Sequence, residues 1–394
     1  MIIPERPALE RRVLATLDGS DNTARIPVVL GGCGSGRTSL LLRLRDLIGR
    51  TSTQYIDVER IATTPERFLR SVRTHSPFPA QASGQDAEQD VSAREAFDAT
   101  LTFLTTGRTV GEVPPTFLLD EFLELRTFES FPGLRTVLRD LTSALASSGN
   151  RFVLTSRYAA RALRLLRDAP ARFEIIHVTP LTTAEIRATL PGPADAATAS
   201  PFREAEDDRA RDELAKVVQS LSDGRPAYAK LIAETAVTLR GGDPVSALSA
   251  LLAPEGRLAA ACRFSYELRL HRARGYGALK AILEVLSEEE PLTLTEIALR
   301  LRRTPGSTKD YLSWLEDVDL IVSRQKRYSF ADPLMRLWVR LHCRPAPPTD
   351  EELAREVLGY VMMRLPQTEP ALALAGTAGQ DAQRGKGWGI IEID

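Results

Sequence analysis

Five short runs, nearly all apolar, punctuate the first half of the chain at residues 26–30, 54–58, 116–121, 151–157 and 174–178. Helical periodicity fills the gaps, at 37–48 (closed by Gly49), 65–73, 91–104, 134–147 and 159–167. Strands of this composition have no polar face and must be covered on both sides, and intervening helices supply that cover. The pattern predicts an α/β fold with a parallel sheet. Ligands of such sheets bind at the carboxyl ends of the strands.

Polar residues gather at three of those ends. The first is Gly31-Gly32-Cys33-Gly34-Ser35-Gly36-Arg37-Thr38-Ser39, between strand and helix. It fits the phosphate-loop pattern with one change, an arginine before the hydroxyl pair instead of a lysine. Glycine lets backbone N–H groups converge on an anion, and the helix that follows aims its positive end at the same point. Thr38 would place its hydroxyl on Mg²⁺. The second cluster is Asp120-Glu121, with Asp120 expected to hold Mg²⁺ and Glu121 to orient or deprotonate a water. The third is Thr155-Ser156-Arg157, whose hydroxyls would sit near a terminal phosphate. Two further arginines are candidates. Arg172, before the fifth strand, would reach into a neighbouring subunit's site, which implies a homo-oligomer. Arg225 precedes Pro226 at a helix start, where a cation is disfavoured unless an anion joins it.

After Pro180 the pattern turns all-helical. The reading is a nucleotide-binding unit at 1–190, a helical lid at 191–255, a third unit at 256–345 and a tail at 346–394. Residues 76–89 and 191–205 read as connections. The third unit has helix, turn, helix and then a hairpin at 320–330 carrying Arg324, Lys326 and Arg327, a winged-helix plan. Its would-be recognition helix mixes Lys309 with Asp310, Glu316 and Asp317 and lacks a consistent basic face. The formal net charge of −1 gives no global attraction to nucleic acid, so a DNA or protein partner would have to use the hairpin cations. Three scattered cysteines, Cys33, Cys262 and Cys343, suggest a reducing compartment; no run is long enough to span a membrane and no signal peptide is evident, so a cytoplasmic protein is expected.

The glycine loop, Asp120-Glu121, Thr155-Ser156, Gly224-Arg225-Pro226 and the segment Tyr328-Ser-Phe-Ala-Asp332-Pro333-Leu-Met-Arg336-Leu-Trp338 together resemble the AAA+ ATPases. The branch it most resembles is the archaeal-type ATPases, related to replication initiators and STAND NTPases. The resemblance spans about residues 1–345 and implies a five-stranded P-loop sheet of order 5-1-4-3-2, a helical lid and a C-terminal winged helix. It makes Gly31 to Thr38 the Walker A loop, Asp120 and Glu121 the Walker B pair, Thr155 or Ser156 the sensor-1 position and Arg225 the sensor-2 position. It implies ATP and Mg²⁺ held between sheet and lid. Three readings follow: a nucleotide-dependent switch with slow ATP hydrolysis, a DNA-binding initiator or regulator licensed by ATP, and an inactive nucleotide-binding scaffold. Arg37 bears on turnover more than on binding, because a planar fork does not reach a phosphate as an ammonium does.

Overall fold

The computed structural model describes residues 5–19, 25–79, 91–111, 113–190, 201–239, 243–271 and 275–365. The sheet half runs α1 (Pro7–Asp18), β1 (Ile26–Leu30), α2 (Arg37–Ile48), β2 (Thr53–Asp57), α3 (Val58–Ile61), α4 (Pro65–Thr74), α5 (Ala93–Thr106), β3 (Thr116–Asp120), a 3-10 helix (Phe122–Ser130), α6 (Val137–Ser147), β4 (Arg151–Ser156), α7 (Ala159–Arg167) and β5 (Phe173–His177). The five strands are all parallel, in the order β2-β3-β4-β1-β5, which is the expected 5-1-4-3-2 read from the other edge.

Alternation along the strands sorts the core into two layers. Val29, Leu118, Val153 and Ile176 face α1 and α2, meeting Val13, Leu17, Leu40, Leu41 and Leu44. Val28, Phe117, Leu119, Phe152 and Leu154 face the other way, onto Phe68, Phe97, Phe128 and Leu141. Register aligns the carboxyl ends: Leu30 lies beside Ser156 and His177, and Asp57 beside Asp120.

The chain continues as α8 (Thr183–Thr189), α9 (Pro201–Ser222), α10 (Pro226–Thr238), α11 (Pro244–Leu252) and α12 (Arg257–His271). Then come α13 (Tyr276–Glu288), β6 (Leu292–Thr293), α14 (Leu294–Arg300), α15 (Pro305–Asp317), β7 (Ile321–Arg324), β8 (Arg327–Phe330), α16 (Pro333–His342) and α17 (Asp350–Arg364). β6, β8 and β7 form an antiparallel sheet beside α14 and α15, the winged-helix arrangement. Its hairpin turns on Gln325 and Lys326, both at positive φ (51° and 63°), the two-residue turn that matches strand twist.

Several boundaries differ from the sequence reading. Val58 opens α3, because the Asp57 side chain accepts from Arg60 N and ends the strand as a cap. A 3-10 helix follows Glu121, and α6 starts at Val137 instead of 134. α9 begins at Pro201, inside the expected connection, whose residues 191–200 lie outside the described set. Of the expected loop 76–89, residues 80–89 lie outside it, as do 366–394 of the tail. α12, which the sequence reading did not separate, is a helix whose Leu258, Cys262 and Tyr266 are buried. α17 is held down: Tyr360 Oη donates to Leu221 O at 2.8 Å and Arg340 pairs with Glu356 at 2.8 Å.

Candidate nucleotide-binding site

The loop after β1 bends where glycine is needed. Gly34 and Gly36 take φ of 73° and 89°, in the left-handed region that costs other residues about 1 kcal/mol. α10 leans on the loop. Ala227 N donates to Gly34 O at 3.2 Å, and a Cβ on Gly34 would stand 2.9 Å from the Ala227 Cβ. The first-turn amides of α2 open on the same space, and Ser35 Oγ is buried there without a partner. A cavity of about 410 Å³ adjoins the loop, walled by Thr38, Ser39, Pro226, Ala227, Lys230 and Arg6 among others. Glycine backbone, helix terminus and an unused buried donor fit a phosphate group.

The carboxylates lie against this loop. Asp120 Oδ2 accepts from Thr38 Oγ1 at 2.7 Å and from Tyr55 Oη at 2.9 Å, while Oδ1 accepts from Thr155 Oγ1. Thr155 Oγ1 in turn accepts from Glu121 N at 3.1 Å. Asp120, Glu121 and Thr155 are all buried. Burial and the neighbouring Asp120 raise the pKa of Tyr55, which keeps its proton and donates. Among the described residues no group of three His, Cys, Asp or Glu is placed to hold a metal. Thr38 and Asp120 fit Mg²⁺, which takes one or two protein oxygens and completes its shell from phosphate and water.

Arg37 does not reach into the cradle. Its Nη2 lies 2.6 Å from Glu121 Oε1 and its Nη1 donates to Gly31 O, a fork bridging the loop's first carbonyl and the second carboxylate. Glu121 is held from the other side as well. Arg157 N donates to Oε2 at 3.0 Å, Arg157 Nε stands 3.0 Å from Oε1, and the Arg157 guanidinium also pairs with Glu59.

The remaining expected residues divide. Ser156 Oγ accepts from Tyr158 N at 3.0 Å and shapes the turn into α7; Thr155, not Ser156, touches the carboxylates. Ser39 lies in the first turn of α2 beside the cavity. Arg225 reaches the loop: its Nη1 would be 3.1 Å from a Cβ on Gly32, while Nη2 donates to Ala331 O at 2.7 Å and Asp332 lies 3.5 Å away. Arg172 lies away from the glycine loop. It stands at the amino end of β5, the opposite edge of the sheet, and its Nη1 donates to Ala146 O at 3.0 Å and to Ser148 O, capping α6.

Four residues escaped the sequence reading. Tyr55 had no signal beyond its place in a strand. Arg6 and Glu10 flank the start of α1; Arg6, 6% exposed, donates to Thr179 Oγ1 at 2.9 Å, its Nε stands 3.8 Å from Glu185, and Nε and Nη1 are buried without a hydrogen bond. Glu10 Oε1 takes Arg43 Nε at 2.7 Å. Both Arg6 and Glu10 wall the cavity by the loop, and their i, i+4 spacing at a Pro-started helix was the available clue. Arg269 of α12 faces Cys33, and only the tertiary fold brings it there.

No family model and no curated protein matches the chain in sequence. In structure the chain is similar to the Walker-type ATPase PABY2304 of Pyrococcus abyssi, with a TM-score of 0.60 and 19% identity over 86% of this chain and 96% of that one. Looser likenesses run to the STAND protein with a tetratricopeptide repeat sensor PH0952 from Pyrococcus horikoshii (TM-score 0.33, 15% identity, 91% of this chain and 45% of that one) and to the Aeropyrum pernix Orc1 protein solved in complex with DNA (TM-score 0.37, 18% identity, 92% and 95%). Among the described residues no helix is long and apolar enough to cross a membrane. Sheet order, a glycine loop after the first strand and a helical C-terminal region together give this chain the fold of the AAA+ P-loop ATPases.

Proposed function

We propose that the chain binds ATP with Mg²⁺ between the glycine loop and α10, hydrolyses it slowly, and uses the nucleotide state to set the position of the winged-helix unit at 256–345. The observation that carries binding is the Thr38–Asp120 hydrogen bond of 2.7 Å beside a loop packed by α10. Bound Mg²⁺ would neutralise phosphate charge. The chain's own residues then have distinct tasks. Loop amides and Ser35 receive phosphate oxygens. Thr38 and Asp120 hold the cation, with Tyr55 and Thr155 fixing the Asp120 carboxylate. Glu121 takes a proton from water only after it parts from Arg37. The switch is supported by contacts that join loop, lid and wing: Arg225 with Ala331 and Asp332, Tyr228 Oη to Asp332 at 2.7 Å, and Asp319 Oδ2 accepting from Ala159 N at 2.7 Å.

The DNA-binding reading has one observation in its favour: Arg324 and Lys326 are exposed at the hairpin tip. Against it, the end of α15 packs on α7, with Asp317 paired to Arg164, and its exposed start offsets Lys309 with Asp310. Thermal unfolding with and without Mg-ATP tests the central claim. Ligand at 100 times Kd adds about 2.7 kcal/mol, and an unmoved transition in folded protein refutes nucleotide binding. Phosphate release then separates a slow ATPase from an inactive scaffold. Salt-sensitive DNA binding that appears only with ATP, and is lost when Arg324 and Lys326 are changed to Ser, would move the assignment to the second reading.

A further inference from the structure

A second cavity, of about 760 Å³, opens where the end of α9 meets α16 and α17, and it shares no wall residue with the cavity by the glycine loop. Four arginines line it, Arg336, Arg340, Arg355 and Arg364, one more than the carboxylates beside them. Arg340 Nε stands 2.8 Å from Glu356, Arg364 Nη1 3.1 Å from Asp223 and Arg336 Nε 3.4 Å from Glu290. Each of these pairs uses a single nitrogen of a guanidinium that carries five N–H donors. Arg355 is exposed and has no hydrogen bond or ion pair among the described residues. α17 brings Arg355, Gly359 and Met363 to the cavity at i, i+4 spacing. Gly359 sits in the helix interior, where glycine is the poorest former after proline. No packing asks for it: a Cβ there would meet no atom within 4 Å. The missing side chain keeps space open between an unpaired arginine and Met363, which is 75% exposed.

We propose that this cavity is a second binding site, for a small organic polyanion with phosphate or carboxylate groups on a short carbon frame, and that its occupancy weakens nucleotide binding at the loop. The planar guanidinium fork takes either oxyanion through paired N–H donors. Leu337, Pro333 and Met363 supply apolar wall for the carbon frame, and the volume is that of a small-molecule site. The wall also reaches the residues that hold Arg225. Asp223 and Gly224, at φ of 54° and 61°, lead directly into Arg225. α16 starts at Asp332, which accepts from Tyr228 Oη at 2.7 Å and lies 3.5 Å from Arg225. An anion bridging Arg340 of α16 to Arg355 and Arg364 of α17 ties these helices together beside Asp223. It thereby favours the arrangement in which Ala331 and Asp332 engage Arg225. A nucleotide must draw Arg225 away from those partners, so the two ligands oppose each other. The effect on nucleotide rests on the proposed function; the anion site does not.

Calorimetric titration of the full chain with fructose bisphosphate and, separately, with citrate tests the site, in buffer without Mg²⁺ or nucleotide. At least one should bind, and which one does tells phosphate from carboxylate. Arg355→Ser changes an exposed, unpaired side chain and should weaken that binding about tenfold or more. Gly359→Phe should fill the cavity and abolish it, with the unfolding temperature of the free chain unchanged or raised. Binding of neither anion overturns the proposal. So does binding that survives both variants, which is attraction to the loop or to the general surface. A second titration, with Mg-ATP at fixed free Mg²⁺, reads the coupling. The saturating anion should weaken Mg-ATP about fivefold or more, and Gly359→Phe should lose that effect; an affinity unchanged or raised by the anion overturns the coupling. If Mg-ATP does not bind even without the anion, the nucleotide reading fails, and the first titration still decides the anion site.

Discussion

Replacing Arg37 by lysine should make the protein a faster ATPase. The fork of Arg37 engages Gly31 O through Nη1 and Glu121 through Nη2 at 2.6 Å, with both side chains nearly excluded from water (8% and 6% exposed). A single ammonium cannot span both acceptors in that geometry. Removing one partner of a buried pair outright costs about 3–5 kcal/mol. Lysine keeps the charge, and Glu121 keeps Arg157 at 3.0 Å, so the stability loss should fall to about 1–2 kcal/mol. The kinetic effect runs the other way. Glu121 must leave Arg37 before it can take a proton, and a hydrogen bond between charged groups is worth about 1.5–3 kcal/mol. At about 1.4 kcal/mol per tenfold in rate, the pair restrains hydrolysis by roughly ten- to a hundredfold. Arg37→Lys should raise kcat by about that factor in phosphate-release assays at saturating Mg-ATP, and Glu121→Gln should remove the gain. A lysine variant no faster than the parent refutes the restraint, and one that stays fast with Glu121→Gln refutes the role given to the carboxylate.

Two further perturbations discriminate structural from chemical roles. Arg172→Met removes donors from the carbonyls at the end of α6 and should lower Tm by about 2–4 °C per kcal/mol, with a loss of about 1–3 kcal/mol; phosphate release per folded molecule should not change, and a selective loss of turnover would restore a catalytic role. Burial pushes the Asp319 carboxyl up to about 6 from its ordinary 3.8, although Ala159 N donates to it. The folded chain then holds that proton more tightly than the unfolded chain, so the contribution to stability is complete below about pH 4 and fades as pH rises through 6. Asp319→Asn should flatten that part of the urea-midpoint profile between pH 4 and 6, and an unaltered slope would show that another group titrates there.

What was legible in the sequence was what local chemistry dictates. Apolar runs without a polar face announced a covered parallel sheet, and Gly34 and Gly36 sit at positive φ as their loop requires. Thr38, in the first turn of α2, and Asp120, at the end of β3, were expected at one cation and lie within a hydrogen bond of each other. Direction within the sheet was harder. Arg172 precedes β5, and in a parallel sheet the residue before a strand lies at the opposite edge from the loop after it, so the sequence alone did not show its bonds to the carbonyls at the end of α6. Tyr55 and Arg269 left no trace in periodicity, since a strand tyrosine and a helix arginine are ordinary until the fold sets them against Asp120 and Cys33.

The substitution at Arg37 looks different once its neighbours are counted. Four guanidinium groups, Arg37, Arg157, Arg225 and Arg269, approach the loop or its carboxylates, and each is already engaged by another element: Glu121, Glu59, Ala331 and Asp319 O respectively. A polyanion arriving at the loop competes with those partners. The energy it gains from drawing a cation inward is offset by the contact that cation gives up, and one of the four, Arg225 with Ala331, joins the segment at 191–255 to the unit at 256–345. A ligand shifts an equilibrium only by its differential affinity for the two states. On the proposed reading, nucleotide affinity and wing position are therefore coupled through Arg225 and Arg269, by an amount on the order of 1–3 kcal/mol. The same arrangement makes tight binding and fast turnover competing demands, because the arginine that replaces the loop lysine is also the one that restrains Glu121.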